Sequence, residues 1–489
     1  MKRLSTATLD ELPEAVVRPA YDRARVTPGI VHLGVGAFHR AHQAVMTDDA
    51  LAGGDRGWGI VAASLRSPDT HDALHPQDGL YTLAVRDGSG TAHRVIGAIE
   101  RVIVAPDHPG QLLAALASPA TRIVTLTVTE KGYCHDPATG ALDERHGDIV
   151  HDLASPDAPR SAPGYLVAAL ARRRHAGIAP FTVVCCDNLP SNGRTVKRVV
   201  ARLASLVDPA LGAHVEREVA FPCTMVDRIV PATTDADRAG VAAALGLVDR
   251  WPVMTEPFSQ WVLEDHFPRG RPEWERGGAE FVADVAPHET MKLRMLNGAH
   301  SSMAYLGLLD GLQHVADAAG DPVHVGFVER FWGEVIPTLA TGAGLDPEAY
   351  GARLMSRFRN PALRHKLAQI AMDGSQKLPQ RHVATLRARL AAGQPFGHVA
   401  LALAAFLRFM TGRDLEGRAT PVNDPLGALF AARAGEAGDD PVRLADALLA
   451  HEPVFGEVGR EAAVRGAVAR HLAALADKGV RGAIAAARA

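Results

Sequence analysis

The chain has 489 residues, of which 47% are hydrophobic and 22% charged, an ordinary globular composition with room for two or three cores. Its 52 basic and 55 acidic residues give a formal net charge of −3 without a long run of either sign. This balance indicates neither a nucleic-acid surface nor an anionic membrane surface, so we expect a small-molecule partner.

The cysteines and the N-terminus predict the compartment. Cys185 and Cys186 are adjacent, whereas Cys134 and Cys223 are distant, so the four form neither a CxxC pair nor a disulfide framework. The N-terminal segment lacks a continuous apolar run, and no later stretch reaches the roughly 18 apolar residues of a membrane span. These features predict a cytoplasmic protein.

The first strong element is an apolar strand at 29–33, followed by Gly34 and Gly36 and then by a predicted helix over 38–51. Glycines at this position let the backbone approach a pyrophosphate, which sits at the helix N-terminus of a dinucleotide-binding unit. His39 stands at the third glycine position, so the GxGxxG match is incomplete. A plain strand-to-helix turn is the alternative.

Further apolar runs at 58–65, 123–128 and 181–186 alternate with helical patterns such as 109–117 and 164–175. Strands that alternate with helices predict an α/β, Rossmann-like domain whose mostly parallel sheet is covered on both faces.

The composition of the sequence changes after about residue 287, where long alanine- and leucine-rich stretches have helical periodicity. These stretches lie at 296–318, 324–339, 397–410 and 442–450. The sequence therefore predicts a dinucleotide-binding domain over 1–286 and a mainly α-helical substrate-binding and catalytic domain over 287–489.

The second domain begins with Lys292, Asn297 and His300 at offsets of zero, five and eight. In an α-helix these side chains would point near 0°, about 140° and about 80°, which places them on one face. A partly desolvated lysine can lose its proton near neutral pH and take a proton from a substrate hydroxyl. A solvated helix face is the alternative interpretation.

Polar residues follow two of the apolar runs of the first domain. Asp187 and Asn188 end the run at 181–186, and Glu130 and Lys131 follow the run at 123–128. Ligands bind at the carboxyl ends of parallel strands, so the Asn188 amide is placed to donate to a substrate oxygen. The alternatives are an Asx turn or helix cap at 187–188 and a solvated strand end at 130–131.

Two further segments carry charged residues that could meet a substrate. Asp227 and Arg228 lie within an apolar segment, where a buried pair would need partners and a surface ion pair is the alternative. Lys377 and Arg381 lie in a segment that its glycine and proline predict to be a loop, where they could bind a carboxylate.

The chain has no HExxH or paired cysteine–histidine spacing and no GxSxG motif, so no metal site or serine hydrolase is predicted.

Seven motifs, which occur in order along most of the chain, resemble those of the polyol-specific long-chain dehydrogenases and reductases, the family of mannitol 2-dehydrogenase and fructuronate reductase. The motifs are GVGAFHRAHQAV at 34–45, TEKGYC at 129–134, CDNLPSNG at 186–193, TMVDRIVP at 224–231, EPFSQWVLEDHFPRGRPEWE at 256–275, MKLRMLNGAHS at 291–301 and DGSQKLPQR at 373–381.

The resemblance implies a nicotinamide cofactor, no zinc and often a monomer. It implies that Lys292 is the general base that deprotonates the C2 hydroxyl, and that Asn188 and Asn297 hold the developing oxyanion. His300 would orient the substrate oxygen. Asp227 and Lys377 match substrate-contacting positions.

Within the family, the segments at 130–133 and 375–381 look more like fructuronate reductase than like mannitol dehydrogenase. A uronate carries a carboxylate, with which Lys131 or Arg381 could pair. We therefore expect NADH-dependent interconversion of D-fructuronate and D-mannonate. The alternatives are a neutral-polyol dehydrogenase acting on mannitol and, in another class, a nucleotide-binding sensor without turnover.

The expected cofactor is NAD. Its expected contacts are Gly34, Gly36, Phe38, Arg40, Asp69 and Glu130. An acid near the end of the second strand favours NAD because it binds the ribose hydroxyls, and Asp69 could serve in this way. Arg66 and Ser67, which precede it, could instead accept the 2′-phosphate of NADP.

Overall fold

The computed structural model describes residues 1–136, 139–340, 344–363 and 365–487. The chain divides into two compact units, Met1–Ala286 and Pro287–Ala489. The first unit combines strands and helices, whereas the second is built from helices throughout its described part.

The central sheet of the first unit has five strands in the order β5-β2-β1-β6-β7, and all of its pairings are parallel. The chain order reverses between β1 and β6, which makes the carboxyl ends of these two strands the expected ligand position of a doubly wound fold. The strands are β1 Pro28–Leu33, β2 Gly59–Ser64, β3 Tyr81–Asp87, β4 Gly90–Ile96, β5 Ile99–Val104, β6 Ile123–Leu126, β7 Thr182–Cys185, β8 Thr224–Asp227, β9 Val253–Thr255, β10 Gln260–Glu264 and β11 Ala279–Val282.

Two smaller mixed sheets were not expected from the sequence. One has the order β4-β3-β9 and the other the order β11-β10-β8. Several of their strands are only three to five residues long, so their apolar patterns are too short to distinguish from loop segments.

The helices of the first unit cover both faces of the parallel sheet, and α4 at Pro109–Ala117 has the predicted bounds. The helix predicted over 38–51 is instead two helices, because the backbone of His42 leaves the helical region at φ −130° and ψ −89°. The α-helices are α1 Ala37–Ala41, α2 Gln43–Ala52, α3 Asp69–Leu74, α4 Pro109–Ala117, α5 Gly147–Ala154, α6 Ala162–His175, α7 Asn192–Val207, α8 Pro209–Glu218 and α9 Asp235–Leu245.

The second unit packs around α18, whose side chains are almost all buried. A helix that is apolar on every side suits such a central position, and α11 and α22 pack against it. The α-helices are α10 Ala286–Met291, α11 Gly298–Leu309, α12 Val315–Gly320, α13 Pro322–Val335, α14 Pro347–Phe358, α15 Leu367–Ala371, α16 Gly374–Leu378, α17 Ala384–Ala391, α18 Gly397–Met410, α19 Gly427–Ala437, α20 Pro441–Leu449, α21 Glu452–Phe455 and α22 Ala462–Ala486, which is interrupted at Gly479.

Two segments of the second unit are π-helical, Lys292–Asn297 and Pro379–Val383. The first replaces the start of the long helix predicted over 296–318, which continues as α11 and, after a turn, α12. Short 3₁₀ helices complete both units, at Thr6–Glu11, Arg23–Arg25, His75–Gln77, Glu130–Tyr133, Trp274–Gly277, Ile336–Thr338, Pro361–Leu363 and Gly456–Arg460. Among the described residues, no helix is both long and apolar enough to cross a membrane.

Candidate active site

The two glycines after β1 are required for different reasons. Gly34 has φ +90°, and a Cβ there would lie 2.2 Å from the Thr127 carbonyl oxygen, so the fold itself demands glycine. Gly36 has φ −85°, and a Cβ there would meet only the Gly34 oxygen, at 3.8 Å. The fold leaves space beside Gly36, which is exposed, and this space fits the close approach of a pyrophosphate.

A pair of histidine rings fills the position of the missing third glycine. His39 is fully buried and stacks on His32 of β1 with 3.4 Å between ring centroids. His32 Nε2 donates to the Gly34 carbonyl at 3.1 Å, and its Nδ1 is 2.8 Å from Thr125 Oγ1. In the GxGxxG motif the third glycine allows the helix to pack closely on the strand. In this protein the stacked rings of His32 and His39 lie at that contact instead.

The other cofactor candidates near this turn have contacts within the first unit. Phe38 is half-buried and stacks on His42 with 5.0 Å between centroids. Arg40 is buried, donates to the Trp251 carbonyl at 2.5 Å and lies over the ring of Tyr81. Burial lowers the pKa of Arg40 to about 10. These contacts favour a packing role for both residues over cofactor contact.

The loop after β2 carries the residues that bear on cofactor choice. Asp69 is exposed at the first position of α3, and its amide donates to Ser67 Oγ at 3.2 Å. Arg66 is also exposed and lies nearer in sequence to the end of β2. The loop therefore presents a cation as well as an acid to solvent.

Strained backbone is concentrated after β6 and β7. Thr129, Cys134 and Ser191 have φ values of +65°, +51° and +43°. Such conformations are rare for residues with a side chain, and the β-branched Thr129 is the most unusual. Residues held in this way cluster at functional sites. Glu130 and Lys131 are exposed between the first two, on the 3₁₀ turn Glu130–Tyr133.

Asp187 joins the loops that follow β6 and β7. Its carboxylate accepts hydrogen bonds from Val128 N at 2.8 Å, Thr129 N at 3.3 Å and Tyr133 Oη at 2.7 Å. Burial raises the pKa of Asp187. It does not cap α7, which begins at Asn192, so the proposed Asx turn or cap is wrong for this side chain. Asn188, the next residue, is exposed at the end of β7.

Asn192 is a structural residue that sequence reasoning missed. Its Nδ2 donates to the carbonyls of Cys185 and Thr224, both at 3.0 Å, and its Oδ1 accepts from Thr224 N at 2.8 Å. A buried asparagine at a helix start carries no sequence signal that separates this bridging role from an ordinary cap.

Asp227 ends β8 and is 8% exposed, so the alternative of a surface ion pair with Arg228 is wrong. Arg228 instead donates to backbone carbonyls, those of Ala41 at 2.5 Å and Glu256 at 3.0 Å. Burial lowers the pKa of Arg228 to about 10. Asp227 is therefore a buried carboxylate at a strand end, and its contact with a substrate stays a prediction.

Lys292 and Asn297 are the first and last residues of the π-helical segment. The Gly298 amide donates to the Leu293 carbonyl, which is the i→i+5 bond of a π turn. The angles expected for an α-helix are therefore wrong here. Because residues five apart are one hydrogen-bonded turn apart, Lys292 and Asn297 lie closer to one face than predicted. Lys292 is 7% exposed, whereas Asn297 is more open.

His300 lies in the first turns of α11 and is buried. Its ring packs on Phe358 and edge-on against His365, with centroid distances of 4.6 and 5.6 Å. Among the residues that the structure describes, its Nε2 has no hydrogen-bond partner. Burial, together with nearby His365 and Arg357, holds the pKa of His300 well below its usual value. A neutral imidazole with a free buried nitrogen can bind a substrate oxygen.

Arg381 lies on the second π-helical segment, which packs against the first. Its Nη1 donates to Ser301 Oγ at 2.8 Å and contacts the Asn297 carbonyl oxygen at 3.5 Å. Burial lowers the pKa of Arg381 to about 10. Lys377 lies on α16 and donates to the Met372 carbonyl at 2.5 Å. The loop predicted for these two cations is therefore helical.

One group of side chains could in principle hold a metal ion, in contrast to the metal-free expectation. The ligand atoms of Cys134, His146 and Asp148 lie within 4.8 Å of one another. His146 Nδ1 already accepts the Asp148 amide at 3.2 Å, and burial raises the pKa of Cys134 to about 12. Both features disfavour a cation, since metal binding needs a thiolate and a free imidazole nitrogen.

Comparison with known proteins identifies the family. The Mannitol dehydrogenase Rossmann domain matches residues 28–276, and the Mannitol dehydrogenase C-terminal domain matches residues 284–476. The chain is 44% identical to D-mannonate oxidoreductase of Escherichia coli K12, over 99% of this chain and 100% of that protein. It is 40% identical to mannitol dehydrogenase DSF1 of Saccharomyces cerevisiae, over 90% and 89% of the two chains.

A solved structure agrees with the sequence relatives. The ternary complex of Pseudomonas fluorescens mannitol 2-dehydrogenase with NAD and D-mannitol matches with a TM-score of 0.84 and 38% identity, over 99% of each chain. Both family domains, in the expected order, and full-length relatives thus agree with the observed Rossmann-like and helical units. The chain belongs to the mannitol dehydrogenase family of oxidoreductases.

Proposed function

We propose that the protein catalyses the reversible NADH-dependent reduction of D-fructuronate to D-mannonate. The observation that carries the choice of a sugar acid is the environment of Arg381, a half-buried guanidinium whose hydrogen-bond partners are the neutral Ser301 hydroxyl and Asn297 carbonyl. The full-length similarity to D-mannonate oxidoreductase supports the same choice.

The physical reason is the cost of burying a charge. Desolvation of a guanidinium is expensive unless an opposite charge compensates it, and a carboxylate is the ligand that an arginine fork matches best. A neutral polyol offers only hydroxyl oxygens. Lys131 is a weaker candidate for the carboxylate because it is exposed, and a solvated ammonium gains little from an ion pair.

The space beside Gly36 and the strained turn at Gly34 fit the pyrophosphate of a dinucleotide. When bound, NADH supplies the hydride. Glu130, exposed after β6, and Asp69 are the proposed polar contacts to the cofactor. The solved relative contains NAD, which supports this cofactor. Exposed Arg66 is the feature that would favour NADPH instead, so both cofactors belong in the test.

The other roles follow from the chemistry of each side chain. Lys292 gives a proton to the carbonyl oxygen in reduction and takes it back in oxidation. The amides of Asn188 and Asn297 donate hydrogen bonds to this oxygen as its negative charge develops. His300 orients the oxygen through its free Nε2. Asp227 and Lys377 are assigned to substrate hydroxyls.

The test is a panel of fructuronate, tagaturonate, fructose and xylulose, each with NADH and with NADPH at equal concentration. We expect the highest kcat/KM with fructuronate and NADH. A much faster oxidation of NADH with fructose would contradict the proposed substrate, and a clear preference for NADPH would contradict the proposed cofactor.

A neutral-polyol dehydrogenase is the second candidate, and the complex of the solved relative with D-mannitol favours it. The 40% identity to the yeast mannitol dehydrogenase, close to the 44% identity to D-mannonate oxidoreductase, supports this candidate as well. Fast turnover of fructose in the panel would support this candidate.

A nucleotide-binding sensor without turnover is the alternative of another class. Wild-type protein that binds NADH but reduces none of the four sugars would support it. The presence of Lys292, Asn297 and His300 together argues for an enzyme. The cytoplasmic location and the monomeric state stay predictions.

A further inference from the structure

The Asp187 carboxylate holds the loop after β6 through three donors. Val128 N and Tyr133 Oη donate to Oδ2 at 2.8 and 2.7 Å, and Thr129 N donates to Oδ1 at 3.3 Å. The bonds span more than fifty positions of sequence, so they fix one loop relative to another. They hold the two backbone amides on either side of Val128, just before Glu130 and Lys131.

The backbone of Asp187 is held from the other side. Its carbonyl oxygen accepts from Leu189 N at 2.9 Å and from Asn192 Nδ2 at 3.2 Å. This carbonyl belongs to the peptide that joins Asp187 to Asn188. Side chain and carbonyl are therefore both fixed at the residue that precedes Asn188, which limits the directions that the exposed Asn188 amide can take.

The strained backbone of Thr129 indicates that the hydrogen bonds from the loop after β6 to Asp187 hold this loop in a conformation that it would not adopt alone. A β-branched residue at φ +65° is unfavourable and persists only where its surroundings impose it. Hydrogen bonds from backbone amides to a carboxylate are stronger than neutral ones and can offset such a cost. Tyr133 is buried and adds the third donor from the far end of the same turn.

We propose that Asp187 is a positioning residue, and that its hydrogen bonds set both the Asn188 amide and the Thr129–Lys131 backbone for the reaction. The proposal rests on the proposed function only in taking Asn188 as a donor to the reacting oxygen. A misplacement of a reacting group by about 1 Å can lower the rate about a hundredfold. The loss of these hydrogen bonds should therefore lower kcat although Asp187 does not contact the substrate.

Asp152 offers a matched control within the same unit. It is buried and accepts from Arg160 N at 2.7 Å, Ser161 N at 3.0 Å and Ser161 Oγ at 2.5 Å, two amides and one hydroxyl as at Asp187, and it also lies 3.1 Å from His151 Nδ1. These bonds hold the start of α6 and touch none of the candidate site residues. Asp152→Asn therefore reports the cost of losing such a network without an effect on the reaction.

The first experiment needs no turnover. Hydrogen exchange followed by mass spectrometry is compared for wild type, Asp187→Asn, Asp187→Ala, Tyr133→Phe and Asp152→Asn. We expect exchange over 127–134 to rise about tenfold or more in Asp187→Ala, less in Asp187→Asn, least in Tyr133→Phe and not at all in Asp152→Asn. Unchanged exchange over 127–134 in every Asp187 variant would overturn the proposal.

The second experiment is a double-mutant cycle between Asp187→Asn and Asn188→Ala, run with whichever sugar the wild type reduces. We expect Asp187→Asn to lower kcat about tenfold to a hundredfold while the NADH dissociation constant changes by less than about threefold. The double variant should be slower than Asn188→Ala by much less than the factor that Asp187→Asn costs alone, because Asp187 acts in large part through Asn188. Tyr133→Phe should give a smaller loss of kcat, and Asp152→Asn none.

Multiplicative losses in the double variant, or equal losses of kcat in Asp187→Asn and Asp152→Asn, would show a merely structural role. A wild type that reduces none of the sugars would contradict the proposed function. The hydrogen-exchange experiment alone would then show whether Asp187 holds the loop over 127–134. Should Asp187→Ala fail to fold, Asp187→Asn and Tyr133→Phe still decide it.

Discussion

The two units build their candidate site residues by different means. In the first unit the residues follow the carboxyl ends of parallel strands, and strained backbone at Gly34, Thr129 and Ser191 sets their positions. In the second unit Lys292, Asn297 and Arg381 lie on two π-helical segments, Lys292–Asn297 and Pro379–Val383, whereas His300 and Lys377 lie on α11 and α16. Strain after a strand and a π turn within a helix are both departures from regular structure, and both are frequent at functional sites.

Replacement of Lys292 should give the largest effect. Lys292→Ala should lower kcat by about a hundredfold to ten-thousandfold, because the reaction loses its proton donor, while NADH affinity stays unchanged. Steady-state kinetics and NADH fluorescence titration measure the two quantities. Lys478→Ala, which removes an exposed lysine from α22, is the control. Full turnover by Lys292→Ala would remove the lysine from its assigned role.

The two asparagines compare the units directly. Asn188→Ala and Asn297→Ala should each lower kcat by about a hundredfold or more, since each removes one donor to a developing oxyanion. Asn192→Ala should act differently: loss of its buried hydrogen bonds should lower the free energy of unfolding by about 1 to 3 kcal/mol. A kcat of Asn188→Ala or Asn297→Ala close to that of wild type would exclude that residue as a donor.

Apolar patterns predict the central sheet of the first unit and also α18 of the second, whose predicted bounds 397–410 match Gly397–Met410. The strands at 29–33, 58–65, 123–128 and 181–186 lie close to their predicted bounds, because long apolar runs and parallel packing leave a strong pattern. Because Asn188, Glu130 and Lys131 follow two of these strands, the sequence also predicts that they lie at the carboxyl ends of the parallel strands, where ligands bind in such sheets. The three-residue β9 and the break at His42 have no such pattern.

The π turns could not be predicted, because their single extra residue per turn leaves the apolar pattern almost unchanged. The residue types at Lys292, Asn297 and His300 predict a site, whereas the α-helical angles predicted between them are wrong. The same limit applies to Asp187 and Asn192. Their partners are distant in sequence, so neighbouring residues do not show whether such a side chain caps a helix or joins two loops.

The glycine turn separates folding from binding. Gly34→Ala should destabilise the first unit by about 2 kcal/mol or more, because it combines an unfavourable φ with a Cβ 2.2 Å from the Thr127 oxygen. Gly36→Ala should fold normally and weaken NADH binding about tenfold. Thermal denaturation and NADH titration of both variants test this. Normal NADH binding by Gly36→Ala would contradict the placement of the pyrophosphate beside it.

One buried histidine in each unit makes the free energy of unfolding depend on pH. Burial lowers the pKa values of His32, in the first unit, and His382, in the second, to about 3. Below about pH 6.5 these histidines are protonated in the unfolded chain but stay neutral in the folded chain. Their contribution to stability is therefore greatest above that pH and falls towards pH 3. Each histidine should remove roughly 1 kcal/mol per pH unit between about pH 6 and 4.

Denaturant unfolding between pH 7.5 and 5 measures this slope. Replacement of His382 by Asn should lower stability at pH 7.5 and make the slope shallower, since one titrating group is lost while a polar side chain remains near Ser302, which lies 2.8 Å from His382 Nε2. An unchanged slope would show that His382 does not resist protonation in the folded state.

The choice of a sugar acid depends on the second unit through Arg381. The most direct measurement is the ratio of kcat/KM for fructuronate to kcat/KM for fructose, compared among wild type, Arg381→Leu and Lys131→Ala. The account predicts that Arg381→Leu lowers this ratio about tenfold or more, because only fructuronate loses a charge-assisted hydrogen bond, and that Lys131→Ala changes it little. An unchanged ratio in Arg381→Leu, or a wild type that prefers fructose, would contradict it.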